Sequence, residues 1–383
     1  MKPMINYVSK AHRKALAGVA LLRLDFNTKD DWRMEAVLPT VKLLARTSSK
    51  VVIVSHRGRP TGGEIVNGTP KGFPAELHLK RDAVHLAKFI KHPIKFFSHF
   101  RFDEIKQKID RAPRGSIFML DNLRFLKGEE ANDPAFAQKL ASLADFYVND
   151  AFAVSHRANA SVATITKFLP SYAGIELEAE ITSLSKAMVK PARPLVMILG
   201  GAKASDKLGV IAFFRRKADW FLLSGSPANS ILALKGMDVK RSLREKEDQK
   251  TLAGLASIAR QKDVVLPVDF IWGKDAIFDI GPKTIALFST KIAAARTIIW
   301  SGPLGFIEKK AYAKGSVAIA KAIGRNRKAF SICGGGETVM FLKRYKLDKK
   351  FSFISTGGGA MVDFLAGERL PGIEALEHPL KDH

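Results

Sequence analysis

One cysteine, Cys333, serves the whole 383-residue chain, so no intrachain disulfide can form and a four-cysteine zinc site is excluded. No run of about 18 apolar residues occurs, which argues against a membrane-spanning helix. The amino terminus, MKPMINYVSK, lacks the apolar core of a signal peptide. A soluble protein of the reducing cytoplasm is the expectation. Also missing are a GxxxxGK[ST] Walker loop, a GxGxxG turn before a helix, a GxSxG nucleophile elbow and an HExxH zinc motif. P-loop NTPases, dinucleotide-binding dehydrogenases, protein kinases and the common hydrolases lose ground accordingly. Acidic residues are scarce, 37 against 62 Lys and Arg, for a formal charge of +25. There is no basic tail, zinc-finger spacing or aromatic RNA-binding signature, so nucleic acid is not the expected partner. The excess reads as a solvated surface, concentrated locally where an anionic substrate binds.

What the chain has in abundance is alternation. Short runs of Val, Ile, Leu and Phe recur between stretches of helical periodicity, the pattern of parallel strands joined by crossover helices. The fold class expected is α/β, with two Rossmann-like three-layer α/β/α domains, mainly parallel sheets and a helical hinge. Strands are predicted at 19–24, 51–55, 94–97, 117–120 and 146–148 in the first half. The second half should hold strands at 195–199, 220–223, 264–268, 297–300, 330–333 and 353–355. Residues 169–189, between Leu169 and Pro191, should form a helix that links a first domain (1–168) to a second (190–369).

Ligands of open parallel sheets bind at the carboxyl ends of the strands, where loops converge and helices point their positive ends inward. In the first half those positions carry Asp25 and Asn27, then His56, Arg57 and Arg59, then Asn122 and Arg124, then Asn149 and Asp150, with Arg157 shortly after. Several arginines so placed suit an anionic metabolite, because the guanidinium is a permanently charged forked donor. In the second half the strands run into GGAKASDK, SGS, SGPLGF, GGGET and STGGGA. Glycine lets backbone approach a ligand closely, and amides at helix starts can cradle phosphate. If Ser205 or Asp206 caps a helix, Lys207 lies in its first turn, where a cation is unfavourable without an anion nearby.

The ordered motifs LLRLDFN, DDWRMEAVLPT, SHRGRP, LDNLRFLKGEE, NDAFAVSHRANAS, LGGAKASDKLGVI, DIGPKTIALF, GGGET and STGGGA resemble those of the phosphoglycerate kinase family, from about Leu21 to Gly372. The resemblance implies reversible phosphoryl transfer between 1,3-bisphosphoglycerate and ADP, giving 3-phosphoglycerate and ATP with Mg²⁺, by hinge closure of two lobes. It implies that Asp25, Phe26, Asn27, Arg33, His56, Arg59, Arg124 and Arg157 hold the glycerate substrate. Gly201, Ala202, Lys203, Lys207, Gly225, Pro303, Glu308, Gly335, Gly336, Glu337 and Thr338 would form the nucleotide side, with Glu308 at the ribose hydroxyls and Glu337 as metal ligand. Arg33, Lys203, Gly336 and Gly359 are the implied catalytic set. The resemblance further implies a cytoplasmic monomer that needs no membrane, whose tail, 370–383, packs back on the first domain.

The chain also departs from the family pattern. Glu337 stands where aspartate is usual, Ser301 replaces the Asn of Asn-Gly-Pro, and Ser224-Gly225-Ser226 replaces a three-glycine turn, where added side chains could crowd the base. The stretch between Asp269 and DIGPKT is shorter than usual. On the substrate side, Asn159 replaces a histidine and Arg57 an apolar residue. Departures clustered on the nucleotide side permit a second reading, a phosphoglycerate-binding relative with weakened catalysis and a regulatory role. Retention of Lys203 and Arg33 favours the enzyme.

Overall fold

The computed structural model describes residues 5–28, 31–246 and 248–377. The described residues form two compact units: one lies within Met1–Ile181 and Arg369–His383, the other within Thr182–Glu368. Each holds a six-stranded sheet.

In the first unit the strands are β1 (Val19–Arg23), β2 (Lys50–Val54), β3 (Ile94–Phe97), β4 (Ile117–Leu120), β5 (Phe146–Asn149) and β6 (Ser171–Ala173). Their spatial order is β3-β4-β2-β1-β5-β6, and every pairing is parallel. Central strands such as Val19–Arg23 are buried along their whole length, as a sheet covered on both faces requires. Helix Trp32–Thr47 turns Met34, Val37, Val41 and Leu44 into the core, a three-to-four residue spacing that keeps one stripe apolar.

In the second unit β7 (Leu195–Leu199), β8 (Trp220–Leu223), β9 (Val264–Val265), β10 (Thr297–Ser301), β11 (Phe330–Gly334) and β12 (Phe353–Ile354) follow the order β9-β8-β7-β10-β11-β12, again all parallel. This is the doubly wound order in which connections diverge from a central pair, here β7 and β10, and leave a crevice at their carboxyl ends. The corresponding pair in the first sheet is β1 and β5.

Most expected strands are present within a residue or so. The run at 264–268 is the exception: Val264–Val265 pairs with β8, and Phe270–Trp272 then forms an antiparallel hairpin with Ile277–Ile280. A second hairpin, Glu64–Val66 with Thr69–Lys71, was not foreseen. Within the segment expected as linker, Ser171–Ala173 adds a strand to the first sheet before helix Ile175–Val189 begins. Of the tail, Gly372 donates its amide to Ser155 O at 2.8 Å; 378–383 lie outside the described residues. No helix among the described residues is long and apolar enough to cross a membrane.

Asp150 follows β5 and accepts the amide of Leu177, in the first turn of helix Ile175–Val189, at 2.9 Å. Burial pushes its carboxyl up to about 7, against the help of hydrogen bonds from Thr40, Leu177 and Glu176. A folded-state value above the unfolded one means stability that is full at low pH and lost as pH rises from about 4 to about 7. Asp150→Asn should therefore gain on the wild type across that window, by on the order of 2–4 kcal/mol. Urea unfolding of both proteins at several pH values checks this; a difference that does not change with pH would show that Asp150 does not titrate there.

Candidate functional site

In the first unit the sequence-predicted residues gather around the carboxyl ends of β1, β2, β4 and β5. Arg33, in the first turn of its helix, donates from Nη1 to Asp25 Oδ2 at 2.7 Å. The Asn27 amide donates to Asp25 Oδ1 at 3.0 Å, and Gly58 N donates to Asn27 Oδ1 at 2.8 Å, so the loops after β1 and β2 are stitched together. Arg124 donates to Gly58 O at 2.6 Å and meets Glu130 at 3.2 Å. Arg157, half-buried, donates from Nε to His156 Nε2 at 3.2 Å. Arg59 and Asn27 are exposed. Phe26 lies differently from its neighbours: its ring is in the core and its amide donates to Ser55 Oγ.

The electrostatics follow from burial. Asp25 is 6 % exposed, and burial alone would raise its carboxyl; His56, Arg33, the Asn27 amide and Arg23 outweigh it and hold the carboxyl below its usual value. His56 goes the other way. Burial, then the Arg23 guanidinium, hold it well below the ordinary imidazole value, so at neutral pH the ring is uncharged and the guanidiniums carry the field on Asp25. Arg23 Nη2 donates to His56 Nδ1 at 3.0 Å, which leaves the ring proton on Nε2 as a donor. Burial and the nearby Arg157 lower Arg124, the expected signature of cations crowded without enough anions.

Arg23 escaped the sequence reading. It is 1 % exposed, inside a strand, and donates to Ser161 Oγ at 2.9 Å; Ser161 in turn donates from Oγ and N to the buried Glu129 carboxylate. A lone cation inside the apolar run VALLR was the available signal. Arg57, grouped above with the anion-gripping arginines, is instead paired with Asp82.

The second unit builds its site from backbone. Gly201 N donates to Pro303 O and Ser226 N to Gly201 O, both at 2.9 Å, so the loops after β7, β8 and β10 touch main chain to main chain. A Cβ on Gly302 would lie 2.2 Å from Gly200 O, and one on Gly225 2.6 Å from Gly201 O; both residues also have positive φ. Helix Ser205–Phe214 starts from Ala204 without a side-chain cap, so neither Ser205 nor Asp206 caps it. Lys207 is in its first turn as expected, buried, with Nζ donating to Ser301 Oγ at 3.1 Å. Burial lowers the lysine; Asp206 and Glu337 oppose the shift. Lys203 is exposed on the approach to the helix. Gly335 caps helix Gly336–Arg344, whose first turn carries the exposed Glu337 and the fully buried Thr338. Gly359 opens helix Gly359–Leu365.

A cavity of about 590 Å³ lies beside these loops and is lined in part by Gly201, Ala202, Gly225, Pro303, Glu308 and Glu337. Lys203, Lys207, Gly335, Gly336 and Thr338 are not part of its lining. Its apolar wall, Phe270, Phe278 and Phe306, was not foreseen; it comes from the hairpin and the loop after β10. Of the added side chains of Ser224-Gly225-Ser226, Ser224 is buried outside the lining and Ser226 borders it. Asp279 also borders it, raised by burial to about 6 although the Gly315 and Ile280 amides donate to it.

A sequence model described as phosphoglycerate kinase matches residues 18–368. The phosphoglycerate kinase of Dictyoglomus turgidum is 40% identical over 385 residues, covering 93% of this chain and 95% of that protein. That of Syntrophobacter fumaroxidans is 39% identical over 376 residues, covering 92% of each. Among solved structures, the phosphoglycerate kinase of Coxiella burnetii superposes with a TM-score of 0.82 at 30% identity, over 97% of this chain and 99% of that one.

The glycine contacts are directly testable. Gly302→Ala forces a Cβ against the Gly200 carbonyl at unfavourable φ and should cost at least about 2 kcal/mol in urea unfolding. Gly336→Ala, with nothing within 4 Å of the added carbon, should be neutral or stabilising by up to about 1 kcal/mol. Equal effects of the two would show that close approach is not what Gly302 provides.

Proposed function

The chain belongs to the phosphoglycerate kinase family, and from that membership together with its two chemically different strand-end clusters we propose that it transfers the acyl phosphate of 1,3-bisphosphoglycerate to ADP, reversibly, giving 3-phosphoglycerate and ATP. The observation that carries the reading is the cluster of the first unit. Arg33 is paired with Asp25, while Arg124 and Arg157 bear on a neutral His56 beside it, with Glu130 at the far side of Arg124 and Arg59 exposed two residues after Arg57: cations outnumber carboxylates there. The carboxylate and phosphate of a phosphoglycerate supply the balancing charge; Asp25 and Asn27 accept and donate at its hydroxyl.

On the nucleotide side, the 590 Å³ cavity takes the base and ribose between Phe278, Phe306 and the glycine loops, with Glu308 at the ribose hydroxyls. Lys207, and the helix starts at Ser205 and Gly336, offer charge and amides to the phosphates. Phosphoryl transfer proceeds through a loose transition state that needs aligned reactants and positive charge around the equatorial oxygens rather than covalent help. Lys203 and Arg33 are assigned that task, with the Gly336 and Gly359 amides. Glu337 is assigned to Mg²⁺. No group of three or more metal-ligating side chains exists among the described residues, which suits an ion that keeps several waters and takes its other ligands from substrate phosphates. When bound, Mg²⁺ neutralises charge on the nucleotide phosphates. The reading carries with it a cytoplasmic monomer with 169–189 as hinge.

Purified protein with Mg²⁺, ATP and 3-phosphoglycerate should give 1,3-bisphosphoglycerate in a coupled assay; absence of turnover with any common nucleoside triphosphate would sink the enzyme reading. Lys203→Ala and Arg33→Ala should each lower kcat by roughly 100-fold with smaller changes in substrate KM. Normal kcat in either variant removes that residue from the transition state.

A further inference from the structure

Arg57 follows His56 directly, yet its guanidinium is not offered to a ligand. Nε donates to Asp82 Oδ2 at 3.2 Å, Nη2 donates to Asp82 Oδ1, and Nη1 donates to Thr28 O at 3.0 Å. Three donors of one rigid fork thus join three segments: the loop after β2, the loop after β1, and helix Lys80–Ile90, which carries Asp82. The backbone is held as well, because Asn122 Nδ2 donates to Arg57 O at 2.7 Å. Around this junction hang the groups assigned to the substrate. Gly58 N binds Asn27 Oδ1 and Gly58 O receives Arg124, while His56 precedes Arg57 and Arg59 follows Gly58.

The pair is a directional device rather than a source of stability. Asp82 is 8 % exposed, and its carboxyl stays above the ordinary value because burial outweighs the bonds from Arg57. A pair that does not offset its own desolvation is better suited to fixing geometry.

We propose that Arg57, through Asp82 and the Thr28 carbonyl, is a positioning residue that holds the loops after β1 and β2 at the spacing required to grip phosphoglycerate. This rests on the function proposed above. Arg57 touches no substrate; it sets where Asn27, His56 and Arg59 stand.

Arg57→Leu should raise KM for 3-phosphoglycerate about tenfold, the scale of losing a charged hydrogen bond, with kcat and KM for ATP within about twofold of wild type. Because Arg57→Leu strands a buried carboxylate, the double variant Arg57→Leu/Asp82→Leu is needed. It should recover thermal stability while KM for 3-phosphoglycerate stays raised, since the Arg57 bond to Thr28 O that ties the two loops is gone. Arg57→Lys, with a point charge for a fork, should restore KM only in part. Recovery of KM together with stability in the double variant would overturn the proposal, as would an unchanged KM in Arg57→Leu. An active wild type with unaffected variants removes the clamp alone. If the wild type does not turn over, calorimetry of 3-phosphoglycerate decides: weaker binding by Arg57→Leu supports the clamp, equal binding overturns it, and a wild type that neither turns over nor binds overturns both readings.

Discussion

Parallel pairing throughout both sheets is the constraint on which everything functional in this chain depends. A parallel strand can be followed by its neighbour only after a crossover, so each strand ends on the same edge as the others and the connecting loops converge there. Residues more than 100 positions apart, such as Asp25 and Arg157, come to that edge because the strands before them pair. In the second unit the same rule places Gly201 beside Pro303, and the divergence of connections on either side of β7 and β10 opens the space that the glycines border.

The two units fill that edge by opposite physical means. The first uses side-chain charge, and its difficulty is burial: Arg23 needs Ser161 and Glu129 behind it, Arg33 needs Asp25, and Arg124 shares space with Arg157. The second uses the absence of side chains. Its loops approach so closely that a Cβ at Gly200, Gly225 or Gly302 would strike a backbone oxygen, and the resulting site presents amides instead of guanidiniums. Side-chain sites can be adjusted one residue at a time, whereas contact between main chains tolerates no substitution without moving a loop.

Strand positions were legible in the sequence because a strand buried on both faces must be continuously apolar, and the runs at 117–120, 195–199 and 220–223 recur in the structure unchanged; the edge strand at 94–97 recurs too, with Ile94, Phe96 and Phe97 around an exposed Lys95. Ser171–Ala173 was not legible: three residues, two of them small, carry no period, and they become a strand only because β5 offers an open edge. The hairpin Phe270–Trp272 with Ile277–Ile280 was obscured because its apolar residues continue those of the preceding strand. At the site, the residue types were readable and their partners were not. Nothing local distinguishes Arg57, committed to Asp82, from Arg59, exposed two residues later; the difference lies in which helix passes behind the loop.

Lys203 and Lys207 show the same distinction in one turn of chain. Lys203 stands exposed before the helix begins. Lys207 is buried at the positive end of helix Ser205–Phe214, where both desolvation and the helix dipole disfavour an ammonium, and its only hydrogen-bond acceptor among the described residues is the Ser301 hydroxyl. One neutral oxygen is a poor substitute for water. An anion arriving at this helix start would relieve both costs at once, so part of what burying Lys207 costs the fold would be returned on binding. Lys203, exposed, is committed to no such buried acceptor.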